Sequence, residues 1–249
     1  MADQSFVSDI RGFALSGSMD GLTVSAGPGV CYMKDGRRLI NSTLLTYTIP
    51  APVLGFVSAY AVPAPTGRMA ALQVVSGDPA AAYLGTARHM PGNEFSRYLG
   101  SGMIVNVGNQ LRLRPGRHLQ VLPQGSMVML DMASSTGGIP YNLLSGLTAS
   151  TVQTLDLSGI VPITSRCARI QVMNGSNRAI YIGLASRGTV SKTNHLFEVL
   201  PGASPLLDVP LDPNRTCTLV QTTDSLLGLL GAILSGSSRV NCAGYYYDR

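Results

Sequence analysis

The chain has 249 residues, 45% of them hydrophobic and only 12% charged, with a net charge of +5 from 18 basic and 13 acidic side chains. That length holds one large domain or two ordinary ones, and that apolar content excludes global disorder. The basic residues are scattered, tryptophan is absent, and the densest sites are only Lys34-Asp35-Gly36-Arg37-Arg38 and Arg112-Leu113-Arg114-Pro115-Gly116-Arg117. Neither a long basic run nor aromatic–basic interleaving is present, so no nucleic-acid partner is expected.

The charged fraction is about half of the roughly 25% usual in soluble proteins. Two readings fit. One is a β-protein covered by Ser, Thr and Gly. The other is a surface largely covered by other subunits, because interface cores are depleted of charge.

The N-terminal Met1-Ala2-Asp3-Gln4-Ser5 lacks a positive segment followed by an apolar one, so no secretory signal is expected. Residues 1–22 read as an irregular arm. Phe13 to Leu22 mixes helix and loop features without an amphipathic stripe. From 23 to 117 the pattern predicts a β-rich attachment domain. Its period-two runs are Leu44 to Ile49, Phe56 to Val62 (with Phe56, Ser58, Tyr60 and Val62 on one face) and Met69 to Val75. Turn signals separate them: Gly27-Pro28-Gly29, Asp35-Gly36, Pro50-Ala51-Pro52 and Pro63-Ala64-Pro65-Thr66-Gly67. Asp35-Gly36 suits a type I′ hairpin turn. The triplets Tyr83-Leu84-Gly85 and Tyr98-Leu99-Gly100 enclose a polar loop, His89 to Ser96, and predict two short strands, each ended by its glycine.

Residues 118–150 read as an apolar connector. No Lys or Arg lies between Arg117 and Arg166, and only Asp131 and Asp156 are acidic. Ser134-Ser135-Thr136-Gly137-Gly138-Ile139-Pro140 is linker-like, but its flanks, Met127 to Leu130 and Leu143-Leu144, are apolar. Such a connector should lie against another surface. Residues 151–249 predict a β-sandwich of jelly-roll or immunoglobulin-like size, without the Cys…Trp…Cys signature. Its strands are expected at Thr151–Leu157, Ala168–Asn174, Ala179–Ala185, Phe197–Leu200, Leu206–Val209, Thr216–Gln221 and Val240–Tyr246. Asn174-Gly175-Ser176-Asn177 marks a turn. The greasiest stretch, Leu226 to Leu234, is too short to span a membrane as a helix, so no membrane insertion is expected. The whole chain is thus expected to be all-β.

Chemistry-bearing patterns are sparse. Cys31, Cys167, Cys217 and Cys242 lie far apart without CxxC or CxxH spacing, which argues against zinc and for buried free thiols in a reducing compartment. His89, His118 and His195 read as loop or satisfied polar residues. No Gly-x-Ser-x-Gly elbow is present. Asp208 and Asp212 flank Pro210 and read as turn residues rather than a glycosidase pair. No catalytic, cofactor or metal site is expected. Tyr245, Tyr246 and Tyr247 form the one candidate contact site. They are either an exposed cluster that stacks on glycan or a last strand whose tyrosines alternate between core and interface.

Taken in order, Asp20-Gly21-Leu22-Thr23-Val24-Ser25-Ala26-Gly27, Ala80 to Arg88 and Arg97 to Ser101 resemble a domain of tail-fibre and virion structural proteins of tailed bacteriophages. The second half, with Leu157 to Pro162, Ile180-Tyr181-Ile182-Gly183 and Ala243 to Arg249, is similar to a small sandwich that often follows that domain. The resemblance covers most of residues 20–249 and implies no catalytic residues. It implies a virion component assembled in the host cytoplasm, a short tail fibre or a fibre adaptor. Its partners would be copies of itself, most readily as a homotrimer, and other virion proteins of tail or capsid. A host surface glycan is a further candidate partner. The alternatives are a capsid decoration or head-fibre protein and a carbohydrate-binding receptor module.

Overall fold

The computed structural model describes residues 9–17, 21–65, 67–114, 116–122, 125–130, 142–147, 151–222 and 237–249. The fold is all-β. Among the described residues there are twenty strands and one short 3-10 helix, Ala185–Arg187. The chain divides into two compact units, Met1–Ile139 with Tyr246–Arg249, and Pro140–Tyr245.

The first unit holds β1 (Ile10–Gly12), β2 (Leu15–Gly17), β3 (Thr23–Ala26), β4 (Gly29–Tyr32), β5 (Arg38–Asn41), β6 (Leu45–Thr48), β7 (Gly55–Pro63), β8 (Ala70–Ser76), β9 (Arg97–Val107), β10 (Gln110–Leu113), β11 (Gly116–Leu122) and β12 (Gly125–Leu130). They pair as β1-β4-β5, as β10-β9-β7-β8 and as the run β12-β11-β2-β3-β6. All the registers recorded between these strands are antiparallel, as hairpin-rich sequences dictate. Alternation does its expected work in β3, where Val24 and Ala26 are buried and Thr23 and Ser25 are not. One continuous core joins the three sheets, with Ile10, Phe13, Leu15, Cys31, Met33, Leu39, Val57, Leu72, Leu99 and Ile104 among its buried members.

Four expectations need correction here. Residues 10–17 are not an irregular arm: β1 and β2 are paired, and Ile10 and Phe13 are fully buried. Residues 1–8 and 18–20 of that arm lie outside the described residues. Asp35-Gly36 does close a hairpin, β4 to β5, but not as type I′. Gly36 N–H donates to Met33 O at 2.9 Å, so Lys34 and Asp35 are the central pair, and Asp35 lacks the positive φ that type I′ demands. The type I′ turn lies instead at Gly108-Asn109, φ 57° and 64°, joining β9 to β10. Strand β7 is buried on both faces in its middle, from Val57 to Ala61, so its face pattern is not the simple alternation expected. Finally, the stretch read as a connector carries strand: β11, β12 and, in the second unit, β13. Its Ser134 to Pro140 segment lies outside the described residues.

The second unit holds β13 (Asn142–Ser145), β14 (Gln153–Asp156), β15 (Ser165–Met173), β16 (Ile180–Gly183), β17 (Phe197–Val199), β18 (Leu206–Pro210), β19 (Thr216–Gln221) and most of β20 (Arg239–Asp248), whose residues from Tyr246 on group with the first unit. One sheet runs β14-β19-β16-β17. Another runs β18-β15-β20, with β13 also paired to β20. Leu155, Ile170, Val172, Ile180, Ile182, Leu219 and Val240 are buried. The arrangement is sandwich-like. All seven strands anticipated after residue 150 form within a few residues of the expected positions, because each is a short apolar run between turn residues. The Leu226 to Leu234 stretch lies outside the described residues.

Candidate functional site

The two Tyr-Leu-Gly triplets have different fates, and neither ends a strand. Tyr83 to Ala87 is a tight turn. Tyr83 N–H donates to Ala87 O, and Ala87 N–H to Leu84 O, both at 2.9 Å. Tyr98-Leu99-Gly100 lies inside β9, where the register with β7 shifts between Ala59 and Tyr60. Gly100 has φ 153°, and a Cβ there would stand 2.4 Å from the Tyr247 hydroxyl and 2.8 Å from Leu15 Cδ1. The glycine is therefore a seat for Tyr247, set by close approach.

Around that seat lies a buried polar cluster of the first unit. Arg97 is fully buried and Arg249 is 1% exposed. Arg97 donates through Nη1 to the Tyr83 hydroxyl at 3.1 Å and through Nη2 to the main-chain oxygen of Arg249 at 3.0 Å. Thr86 Oγ1 donates to the same oxygen at 3.2 Å. Tyr247 OH donates to Leu99 O at 3.2 Å, and Arg249 Nη1 to Phe13 O at 3.3 Å. Tyr98 meets Tyr247 edge-on, with ring centroids 6.4 Å apart. Burial, with Arg97 nearby, pushes the Arg249 guanidinium below its ordinary value, while Tyr247 and Cys31 oppose the shift. Four of these five bonds end on main-chain carbonyls, the chemistry of a structural clasp, while Arg249 Nε and Nη2 are buried without a hydrogen-bond partner among the described residues.

The tyrosine cluster fits the last-strand reading and not the exposed one. Tyr245 and Tyr247 are 4% and 1% exposed, and Tyr246 is half-buried. Alternation along β20 puts Tyr245 and Tyr247 together on a buried face and Tyr246 on the opposite one, so three adjacent tyrosines do not form an open platform for a sugar face. Asp208 is reassigned: it lies in β18, not in a turn, and accepts from Arg169 Nε at 2.6 Å and Nη2 at 2.7 Å. Asp212 does shape a turn, accepting from Thr216 N–H at 2.8 Å.

His89 Nδ1 lies 2.9 Å from Met90 O, and its ring stacks on Tyr83. His195 packs on Tyr181, centroids 4.7 Å apart, beside a shallow groove of about 250 Å³ bordered by Arg187, Asn194 and Val190. Asn194 Nδ2 is used to hold the carbonyls of Arg187 and Thr189, at 3.1 and 3.0 Å. The His118 side chain lies outside the described residues. A second groove, of about 380 Å³ in the first unit, is walled by Leu15, Val24, Val57, Val74 and Leu113 with Arg114. Neither groove brings a nucleophile to a base. Among the described residues no group of three His, Cys, Asp or Glu could hold a metal ion, and no helix is long and apolar enough to cross a membrane.

None of the four cysteines forms a disulfide. Burial pushes the Cys31 and Cys217 thiols up to about 12 and Cys167 up to about 11. Thiols protonated at neutral pH are poor nucleophiles and poor metal ligands. Alkylation of the native protein at pH 7.5 should leave Cys31 and Cys217 unmodified, and labelling should become complete in denaturant. Rapid native labelling of either residue would contradict the burial. Because these thiolates form only as pH rises toward 11–12, raising the pH from 7 to 9 should not expose them to reagent.

The chain matches no family model, no curated protein and no solved structure. Sequence reasoning missed Arg97 and Arg249 as core residues. The one available signal was an arginine in step with the buried positions of a strand, which charge alone argues against.

Proposed function

We propose that the chain is a structural subunit of a bacteriophage virion, a tail-associated short fibre or fibre adaptor that binds copies of itself and other virion proteins. The observation that carries the reading is the pairing of a charge-poor composition with large apolar side chains left at the surface. Leu44, Val53, Leu54 and Phe95 in the first unit are 55–63% exposed, and Leu200 and Leu206 in the second are 55% and 50% exposed. In a subunit, partner chains cover such residues. The resemblance of residues 20–249 to virion structural proteins supplies the biological context.

Sedimentation velocity across a concentration range reaching about 100 μM, where even weak specific contacts of about 5 kcal/mol populate, tests the assembly. A defined homo-oligomer, a trimer first among them, is the expected species. A monomer throughout would overturn self-assembly. Mass spectrometry of purified particles tests the setting: the polypeptide should be present in fixed copy number, at tens or fewer per particle for a tail location. Hundreds of copies would move it to the capsid surface, and absence would remove the virion reading.

A further inference from the structure

The first unit is not made of one continuous stretch of chain. Its core and its polar clasp are completed by Tyr246–Arg249, which follow the whole of the second unit in sequence. We infer that this unit is held open during synthesis and closes last: although residues up to 139 are made first, its native packing waits for residues 246–249. This goes beyond the virion reading and does not depend on it.

The argument rests on what these four residues supply. Tyr247 is a large, fully buried ring, one of the largest enclosed side chains of the chain, as is Arg249. Tyr247 fills the space left by the missing Cβ of Gly100 and packs on β9, edge-on to the Tyr98 ring. Its hydroxyl satisfies Leu99 O, and Arg249 satisfies Phe13 O. In return the Arg249 main-chain oxygen accepts from Arg97 and Thr86. Without the tail, a ring-sized void opens in the core. Two main-chain carbonyls lose donors, and the buried Arg97 loses an acceptor it cannot replace with water while it stays buried. The partners of the tail span residues 13 to 99, so the loss reaches from the link between β1 and β2, through the Tyr83–Ala87 turn, to β9. Domains by default fold as they emerge, N-terminal first. Here the elements made first lack their last core residues until the second unit has been made.

Ribosome-bound chains of the full sequence test this directly. A chain is arrested with residue 139 well outside the ribosome and residues 246–249 still within the tunnel, then extended by a flexible C-terminal linker so that they emerge. Limited proteolysis reads β1 to β10. The expected result is cleavage in the shorter chain and protection in the longer one. The Tyr247→Ala and Arg249→Ala variants of the longer chain should stay cleavable, and Tyr247→Phe, which keeps the ring, should recover most of the protection. Full protection of β1 to β10 before residue 246 emerges would overturn the inference. So would equal protection in the alanine variants, or cleavage that persists after the tail of the parent sequence is out. On the released protein, hydrogen exchange gives a second measure. Arg249→Ala should speed exchange at least tenfold in β7 and β9 and leave β16 and β19 near the parent rate. Equal acceleration in both units, or none in β7 and β9, would contradict a tail that acts on the first unit.

Discussion

Replacing Gly29 by Ala should unfold or severely destabilise the first unit, by about 4 kcal/mol or more, which belongs to the diagnostic tail of point-mutation effects. Gly29 pairs with Gly12 across β1 and β4, and Phe13 N–H donates to Pro28 O at 3.0 Å. A Cβ on Gly29 would lie 2.5 Å from Phe13 N, 2.6 Å from Phe13 Cδ2 and 2.7 Å from Arg11 O. Two of those three atoms are main chain and cannot rotate away. The third belongs to a ring with no exposure. Overpacking against mobile side chains costs about 1–3 kcal/mol, so main-chain contacts at this separation should cost more. The substitution forces β1 off β4 and carries Phe13 out of the core. Gly17→Ala is the matched control. Its Cβ would meet Leu113 Cδ1 at 3.5 Å, an ordinary contact, and its effect should stay within about 1 kcal/mol. Two units need not unfold together, so hydrogen exchange in β4 and β7 is the appropriate readout, with denaturant titration beside it. Parent-like exchange in Gly29→Ala would mean that β1 and β4 do not approach as described.

Sequence periodicity made the strands legible where each is a short apolar run with polar punctuation. The second half shows this best, from β14 to β20. Periodicity failed where a residue's role depends on a distant partner. Residues 10–17 carry too little pattern to announce a pair of strands, because β1 and β2 have three residues each and are stabilised by Cys31, Val30 and Ala26 across the sheets. The Tyr-Leu-Gly triplets are identical as text. One folds on itself through Ala87, and the other is drawn into an eleven-residue strand by β7. The uncharged composition between Arg117 and Arg166 was visible, but its meaning was not. Low charge fits strand as well as linker, and β11, β12 and β13 use it as strand. The candidate site was the least legible part. The Tyr245 to Tyr247 run identified a real structural element but not its direction, since alternation tells which rings share a face and not which face is inside.

Asn174 shows the same limit from the other side and carries the largest expected effect in the second unit. Its position in a turn was plain from Asn174-Gly175-Ser176-Asn177, and its side chain does accept from Ser176 N–H at 3.2 Å, the Asx-turn bond. The remaining bonds are not local. Nδ2 donates to Arg178 O at 2.7 Å and Val199 O at 3.0 Å, and Oδ1 also accepts from the Ser176 and Ser238 hydroxyls at 2.8 and 3.1 Å. The residue is 2% exposed, so one amide ties the β15–β16 turn to β17 and to the start of β20. Asn174→Ala takes the side-chain donor from the Val199 carbonyl and the acceptor from the buried Ser238 hydroxyl, while the Arg178 carbonyl keeps the Ser176 hydroxyl at 3.2 Å. At about 1–3 kcal/mol for each unsatisfied group, with partial relaxation, the loss should be about 3–5 kcal/mol in denaturant unfolding of the second unit. A loss below about 1 kcal/mol, the ordinary scale of a surface substitution, would show that water replaces the amide. Asn174→Asp separates geometry from charge. It keeps the Oδ1 acceptor but replaces the Nδ2 donor with a second oxygen, which sets a carboxylate against two carbonyl oxygens in a buried site and raises its folded pKa above the unfolded value of about 3.9. A raised folded pKa means that the folded state holds the proton more tightly. The variant should therefore approach the parent below about pH 4 and lose stability as pH climbs through the folded pKa. A pH-independent deficit would place the cost in lost hydrogen bonds alone, and a deficit that shrinks with rising pH would contradict the orientation of the amide.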